Sequence, residues 1–232
     1  MLTAFGLALA LVPAQATSNH HYAKDEYAVI RNGLAPSKQL SLASHGGGEL
    51  GDDDFHVWLM AEPAHKKIVA LPDIGSENNL DTDPDAYHAT WSADSRHVAV
   101  AFRSSRHEVD LNLYSIEGRR VTETAAPNLF KEVTGRDIAD SDDPRQRVFA
   151  VDWRGGARFT LREYRALVVS DESLLKLLGS YGRLLEKLPD GKLFIGFSAE
   201  ADCFGWPGGR SRVVDLRPGR AFGDAVDWWY TR

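Results

Sequence analysis

Trp91-Ser92-Ala93-Asp94-Ser95-Arg96-His97-Val98-Ala99-Val100-Ala101-Phe102-Arg103 sets a tryptophan and a polar turn ahead of an apolar run, and a second apolar stretch, Val109 to Ile116, follows it. Short β-forming runs separated by turn residues are the grammar of antiparallel hairpins. The stretch therefore predicts a β-meander. It speaks to architecture, and no other stretch of the chain speaks more sharply to chemistry.

The grammar recurs. Ala35-Pro36-Ser37-Lys38-Gln39-Leu40-Ser41-Leu42-Ala43 aligns without gaps on Ala93 to Ala101, Val57-Trp58-Leu59-Met60 on Leu111-Asn112-Leu113-Tyr114, and Lys66-Lys67-Ile68-Val69 on Arg119-Arg120-Val121-Thr122, at offsets of 58, 54 and 53 residues. A third copy starts at Val151-Asp152-Trp153-Arg154-Gly155-Gly156, with Arg158 to Leu161 in the strand slot. A fourth starts at the turn Pro189-Asp190-Gly191-Lys192 before Leu193 to Phe197, with Arg212 to Leu216 as a later strand. The copies fall near 27–71, 87–124, 147–170 and 183–216. Repeats of this length, each of several strands, predict an all-β, mainly antiparallel fold: a β-propeller-like domain or partial propeller of repeated meanders.

The Trp-Ser-x-Asp-Ser-Arg-x-Val-Ala-Val string resembles the repeat of TolB-like and WD40-like β-propellers, in which a Trp-Ser-Pro-Asp-Gly turn precedes an Ile-Ala-Phe type strand. Ala93 stands in place of the proline and Ser95 in place of the glycine, and the Gly-His and Trp-Asp signatures of WD40 blades are absent. The match is best over residues 87–122 and weaker over 35–69 and 188–197. The resemblance implies blade packing rather than catalysis, and protein partners at the cell envelope.

One segment reads as a helical insertion. Ser170-Asp171-Glu172-Ser173 places a cap and two acids before Leu174, Leu175, Leu177 and Leu178, and Gly179 follows, so a helix is expected over 171–178. Leu174, Leu178, Tyr181, Leu185 and Leu188 would extend its apolar face to Lys187, against which Gly179 and Gly182 argue. Residues 72–86 and 134–146 read as long polar loops.

Residues 1–16 read as a signal peptide: Leu2 to Val12 is apolar, Pro13 breaks the run, and Ala14-Gln15-Ala16 is a cleavage pattern. No Lys or Arg precedes the run, which departs from the usual pattern. The run is too short for the ~20 residues a membrane-spanning helix needs. Residues 17–232 are then a single domain of a periplasmic or secreted protein. The net charge of −6 lacks the clustered cations that nucleic acid or anionic membrane demands. Cys203 is the only cysteine, so no internal disulfide can form, and it reads as a small buried hydrophobe.

Several constellations bear on chemistry. His45-Gly46-Gly47-Gly48 is similar to the oxyanion loop of esterases, but the nearest elbow candidate, Gly196-Phe197-Ser198-Ala199-Glu200, lacks its final glycine, and the last histidine is His107. Asp52-Asp53-Asp54 with His45 and His56, and the alternating Asp81, Asp83 and Asp85, fit no calcium-loop spacing. Glu108 and Asp110 would share one strand face as an acid/base pair, unless Arg103 and Arg106 neutralise them. His20-His21 lies just past the expected cleavage site. No catalytic, cofactor or metal residue is assigned. Trp206, Trp228 and Trp229 are the candidate ligand or partner contacts, since loop aromatics bind by stacking. The expected function is a non-catalytic protein-binding or scaffolding module. The alternatives are a hydrolase acting on a sugar or peptide through loop carboxylates, and a lectin-like carbohydrate binder.

Overall fold

The computed structural model describes residues 17–46, 55–139, 141–205 and 209–220. The expected signal peptide and Trp206, Trp228 and Trp229 lie outside them. Mainly antiparallel β-structure accounts for the fold. A first meander comprises β1 (Ala28–Leu34), β2 (Leu40–His45), β3 (His56–Ala61) and β4 (Lys66–Gly75); a second comprises β5 (His88–Trp91), β6 (His97–Arg103), β7 (Val109–Glu117) and β8 (Arg120–Ala125). Their first strands meet in parallel at Arg31 and His88, giving the order β4-β3-β2-β1-β5-β6-β7-β8. The far edges approach as well: the Tyr114 hydroxyl donates to Pro72 O (2.7 Å) and Asn112 Nδ2 to Asp73 O (3.0 Å). The sheet thus curls into a nearly closed barrel around Ile30, Leu42, Leu59, Val98, Val100 and Phe102.

One end of this barrel is plugged. Residues 17–27 cross it as a strap, with Ser18 N donating to Asp81 Oδ1 (2.7 Å) and the Tyr22 hydroxyl donating to Thr82 O (2.6 Å). Asp81 is buried and takes two hydrogen bonds from Arg103, at 2.7 and 2.6 Å. The opposite end, where the turns before β2 and β6 sit, stays open.

The second sheet holds β9 (Asp143–Gly155), β10 (Arg158–Val169), β11 (Gly182–Lys187), β12 (Leu193–Phe204) and β13 (Arg212–Pro218). β10 covers one edge of β12 along its length, so β11 and β13 share the other, one after the other. Residues 147–170 and 183–216 therefore contribute to one sheet. Its Phe159, Leu161, Ile195 and Phe197 pack on Ala99, Ala101, Leu111 and Leu113 in a second core. Two short helices complete that core: α1 (Leu129–Thr134), which the sequence reading does not anticipate, and α2 (Ser173–Leu178). The second meander is thus buried on both faces. That is why Val98 to Phe102 is continuously apolar instead of alternating.

The structure departs from expectation at three places. Residues 182–187 form strand β11, not a helical extension, because Gly179 leaves the helix with φ +53°. Both expected loops are shorter: β4 runs on to Gly75, and β9 starts at Asp143. The third concerns register. Ala35 N donates to Leu40 O (2.9 Å) as Ser92 N does to His97 O (2.8 Å); Lys38 N donates to Ala35 O as Ser95 N does to Ser92 O, both at 2.9 Å. Lys38 and Ser95 share φ near +60°, at 57° and 59°. Equivalent turn positions therefore lie 57 residues apart, one fewer than the gapless alignment. One residue of slip exchanges the two faces of a strand. Leu42 points into the barrel while its backbone equivalent, Ala99, points into the second core. The alignment of Leu42 with Val100 follows burial in a common core, not backbone position.

Candidate functional site

The turn of the opening stretch is held from within. The Ser92 hydroxyl donates to Asp94 Oδ1 (2.6 Å) and accepts from His97 N (2.9 Å), and Asp94 Oδ1 also accepts from Arg96 N (3.1 Å). Ser95 Oγ accepts from Ser37 N (3.0 Å), tying this turn to its counterpart in the first meander. Trp91 Nε1 donates to Gly33 O (3.1 Å), and Trp153 Nε1 donates to Thr90 O (2.8 Å). Gly33 and Thr90 are equivalent positions, so each tryptophan makes the same contact with the first strand of the meander before it.

Between these turns and the β7–β8 turn lies an open cleft of about 720 Å³ at the barrel mouth, within the range of ligand sites. Leu40 and Ile116 give it an apolar floor, and Gln39, Asp94, Arg96, His97, Ser115 and Glu117 line its sides. His97 Nδ1 is hydrogen-bonded to the Ser115 hydroxyl (3.1 Å), and the imidazole stacks on Trp153 with centroids 5.4 Å apart. Burial lowers the pKa of His97 against the pull of Asp94 and so favours the uncharged ring. Burial works against the Asp94 charge too, yet the Ser92 hydroxyl and the Arg96 amide outweigh it and hold the carboxyl below its usual value. A serine, a histidine and an aspartate thus stand close together, but Ser115 is on the ring nitrogen that an orienting carboxylate takes in a nucleophilic triad, and Asp94 is engaged by its own turn. The arrangement suits binding.

A second group of titratable side chains sits at the barrel seam. Burial, and then the neighbouring Asp73, push the Glu123 carboxyl up to about 7. A third group is internal: Glu163, fully buried, accepts from Leu129 N (3.1 Å), Arg147 Nε (3.2 Å) and Arg165 Nε (2.5 Å). Arg147 also reaches Asp110 (3.2 Å) across to β7. This network joins the barrel to the second sheet and caps α1.

The residues singled out in the sequence do not converge. Asp110 is neutralised by Arg147, and Arg103 serves Asp81. Asp81 is tied to Arg103 and Ser18, while Asp83 Oδ1 accepts from Asp85 N (2.8 Å) in a 3-10 turn. Ser198 lies within β12 and not on an elbow, and its hydroxyl donates to Arg220 O (3.2 Å). His20 pairs with Glu26 (2.9 Å). Burial raises the Cys203 thiol to about 12. The loop 47–54, with its acidic run, lies outside the described residues, and among those described no three His, Cys, Asp or Glu side chains are grouped as metal ligands. Trp206 also lies outside, although the chain on either side is anchored, Gly205 N to Ala157 O (2.8 Å) and Ala125 N to Gly209 O (3.0 Å).

Gln39, Arg96, His97 and Glu117 were not singled out as site residues in the sequence. The signal that could have found them is the recurrence of one turn in two meanders, since equivalent turns of paired units collect at one end. Compared with protein-family models, with curated proteins and with solved structures, the chain matches none.

Proposed function

We propose that the chain is a non-catalytic binding or scaffolding module of the cell envelope, exported through residues 1–16, with a protein as its partner. The observation that carries this reading is the open cleft at the barrel mouth, whose Asp94, His97 and Ser115 hold the turn and pack the sheets together. A propeller-like stacking of sheets belongs to the same proposal. The repeated tryptophan contact, Trp91 to Gly33 and Trp153 to Thr90, supports it. Retention of one protein, reproducibly, by the tagged full chain from envelope extract is the expected result. Failure to retain any would remove the reading.

A hydrolase is the second reading, and the Glu123 carboxyl with Asp73 favours it: a carboxyl raised towards neutrality beside a second acid is how one site keeps a proton donor at pH 7. Turnover of a glycoside or peptide panel that disappears in Glu123→Gln supports it, and turnover unchanged by that substitution excludes it.

A further inference from the structure

The ion pairs of the described arginines engage Arg103, Arg145, Arg147, Arg162, Arg165 and Arg217, and none of these lies at the barrel mouth. At the mouth, Lys38, Arg96, Arg119 and Arg120 are all exposed. Arg96 lines the cleft itself; Lys38 sits between lining residues Ser37 and Gln39, and Arg119 and Arg120 follow lining residue Gly118. Two carboxylates that line the cleft oppose them, and a third beside it, Glu62, whose amide donates to Gln39 O (2.9 Å), is turned to Ser41 and His65. Asp94 is engaged by Ser92 and the Arg96 amide, and Glu117 stands opposite Arg120 across the β7–β8 hairpin. The rim is therefore locally positive on a chain whose net charge is −6.

We infer that the mouth cleft receives an acidic peptide segment of a partner protein, an inference that rests on the binding-module reading. The segment lies extended, an apolar side chain on Leu40 and Ile116 and its carboxylates towards Arg96 and the cations beside it. Charge complementarity of this kind sets partner choice and encounter rate. Three features favour a peptide over a nucleic acid. The cations are few, the floor is apolar, and the net charge of the whole chain repels a long polyanion while leaving a short acidic segment to the local field.

The test uses the full chain and fluorescein-labelled ten-residue peptides alternating leucine with aspartate or glutamate, read by anisotropy. Controls are the same peptides with each acid replaced by its amide, and a ten-nucleotide single-stranded DNA. The acidic peptide is expected to bind at least about tenfold more tightly than its amide counterpart, and to weaken as salt is raised. Arg96→Glu is expected to weaken it by about tenfold or more. Arg212→Glu, on the second sheet, leaves it unchanged, and circular dichroism checks that both variants fold. Equal binding of the amide peptide, equal binding of the DNA, or indifference to Arg96→Glu each overturns the inference. If no peptide binds while the full chain still retains an envelope protein, this site is wrong and the module reading stands. If neither occurs, both fall.

Discussion

Ser92 serves its turn three times: its amide donates to His97 O, and its hydroxyl donates to Asp94 and accepts from His97 N. Ser92→Ala leaves the amide of half-buried His97 and the Asp94 carboxylate without that partner, at a cost of about 0.5–1.5 kcal/mol for each bond lost; urea denaturation would show it as a lower midpoint with the slope unchanged. Lys38 and Ser95 hold the same left-handed conformation for different reasons. Ser95 Oγ links the two turns, whereas the Lys38 side chain is exposed. Lys38→Gly is thus expected to gain up to about 1 kcal/mol from relief of the left-handed strain, and Ser95→Gly to gain less or lose. A larger gain at Ser95 in the same denaturation series would contradict this. Glu123 behaves differently. Burial and Asp73 raise its folded pKa to about 7, above its value in the unfolded chain, so the folded state binds the extra proton between the two. The stability this contributes is fully present at low pH and is lost as pH rises through about 7. The thermal midpoint of Glu123→Gln should therefore fall less than that of the parent between pH 5.5 and 8.5, and parallel curves would refute the assignment.

Strands were legible where an apolar run is dense, as in β6 and in Leu193 to Phe197 of β12, whereas the rest of β12 to Phe204 alternates in burial but carries Ser198, Glu200 and Asp202 and is not read as strand. Register was not legible. Leu42 and Val100 look equivalent because both enter one core, and only backbone hydrogen bonds reveal that Leu42 corresponds to Ala99. Helix α1 had readable signals, Asn128 accepting from Lys131 N (3.1 Å) and Gly135 at the C-terminus with φ +72°, but six residues are too few for a helical period to show. The cleft was least legible, since three turns distant in sequence build it. β1 carries the sharpest local constraint. It is irregular between Val29 and Leu34, and a Cβ on Gly33 would lie 2.6 Å from Leu42 O and 2.8 Å from Ile30 O. Neither is a flexible atom. Gly33→Ala must shift the strand that joins the meanders and also moves the carbonyl that Trp91 contacts, so a loss of more than about 2 kcal/mol is expected by denaturation. Gly118→Ala, with open space around its Cβ but φ +61°, costs only the backbone strain of about 1–2 kcal/mol.

At the scale of the molecule the question is what makes barrel and second sheet one body. Apolar contact supplies most of the attraction, because Ala99, Ala101, Leu111 and Leu113 meet the second sheet over a continuous core. Apolar contact alone specifies orientation weakly. Among the polar contacts that cross the junction are the Trp153 bond to Thr90, the backbone bonds of Ala125 with Gly209 and Ser211, and the buried network in which Arg147 joins Asp110 on β7 to Glu163 on β10. Glu163 is the hub, flanked by two guanidiniums and capping α1, with Arg165 itself 4 % exposed. Removing one charge from such a group strands the others in a low-dielectric junction, and costs about 3–5 kcal/mol. On the outer face of the same sheet Glu200 pairs with Arg162 and Arg217, but in partial contact with water, where the loss of a pair costs about 1 kcal/mol or less. Glu163→Gln and Glu200→Gln are matched in chemistry and differ in burial. Glu200 makes two such pairs, so chemical denaturation followed by tryptophan fluorescence should separate the two variants by at least about 1 kcal/mol. Because Trp153 stands at the junction and stacks on His97, its emission should change in Glu163→Gln before the far-ultraviolet circular dichroism does, as the second sheet loosens on a barrel that is still folded. Coincident transitions of the two probes, with equal costs for the two substitutions, would show that the network does not hold the halves together.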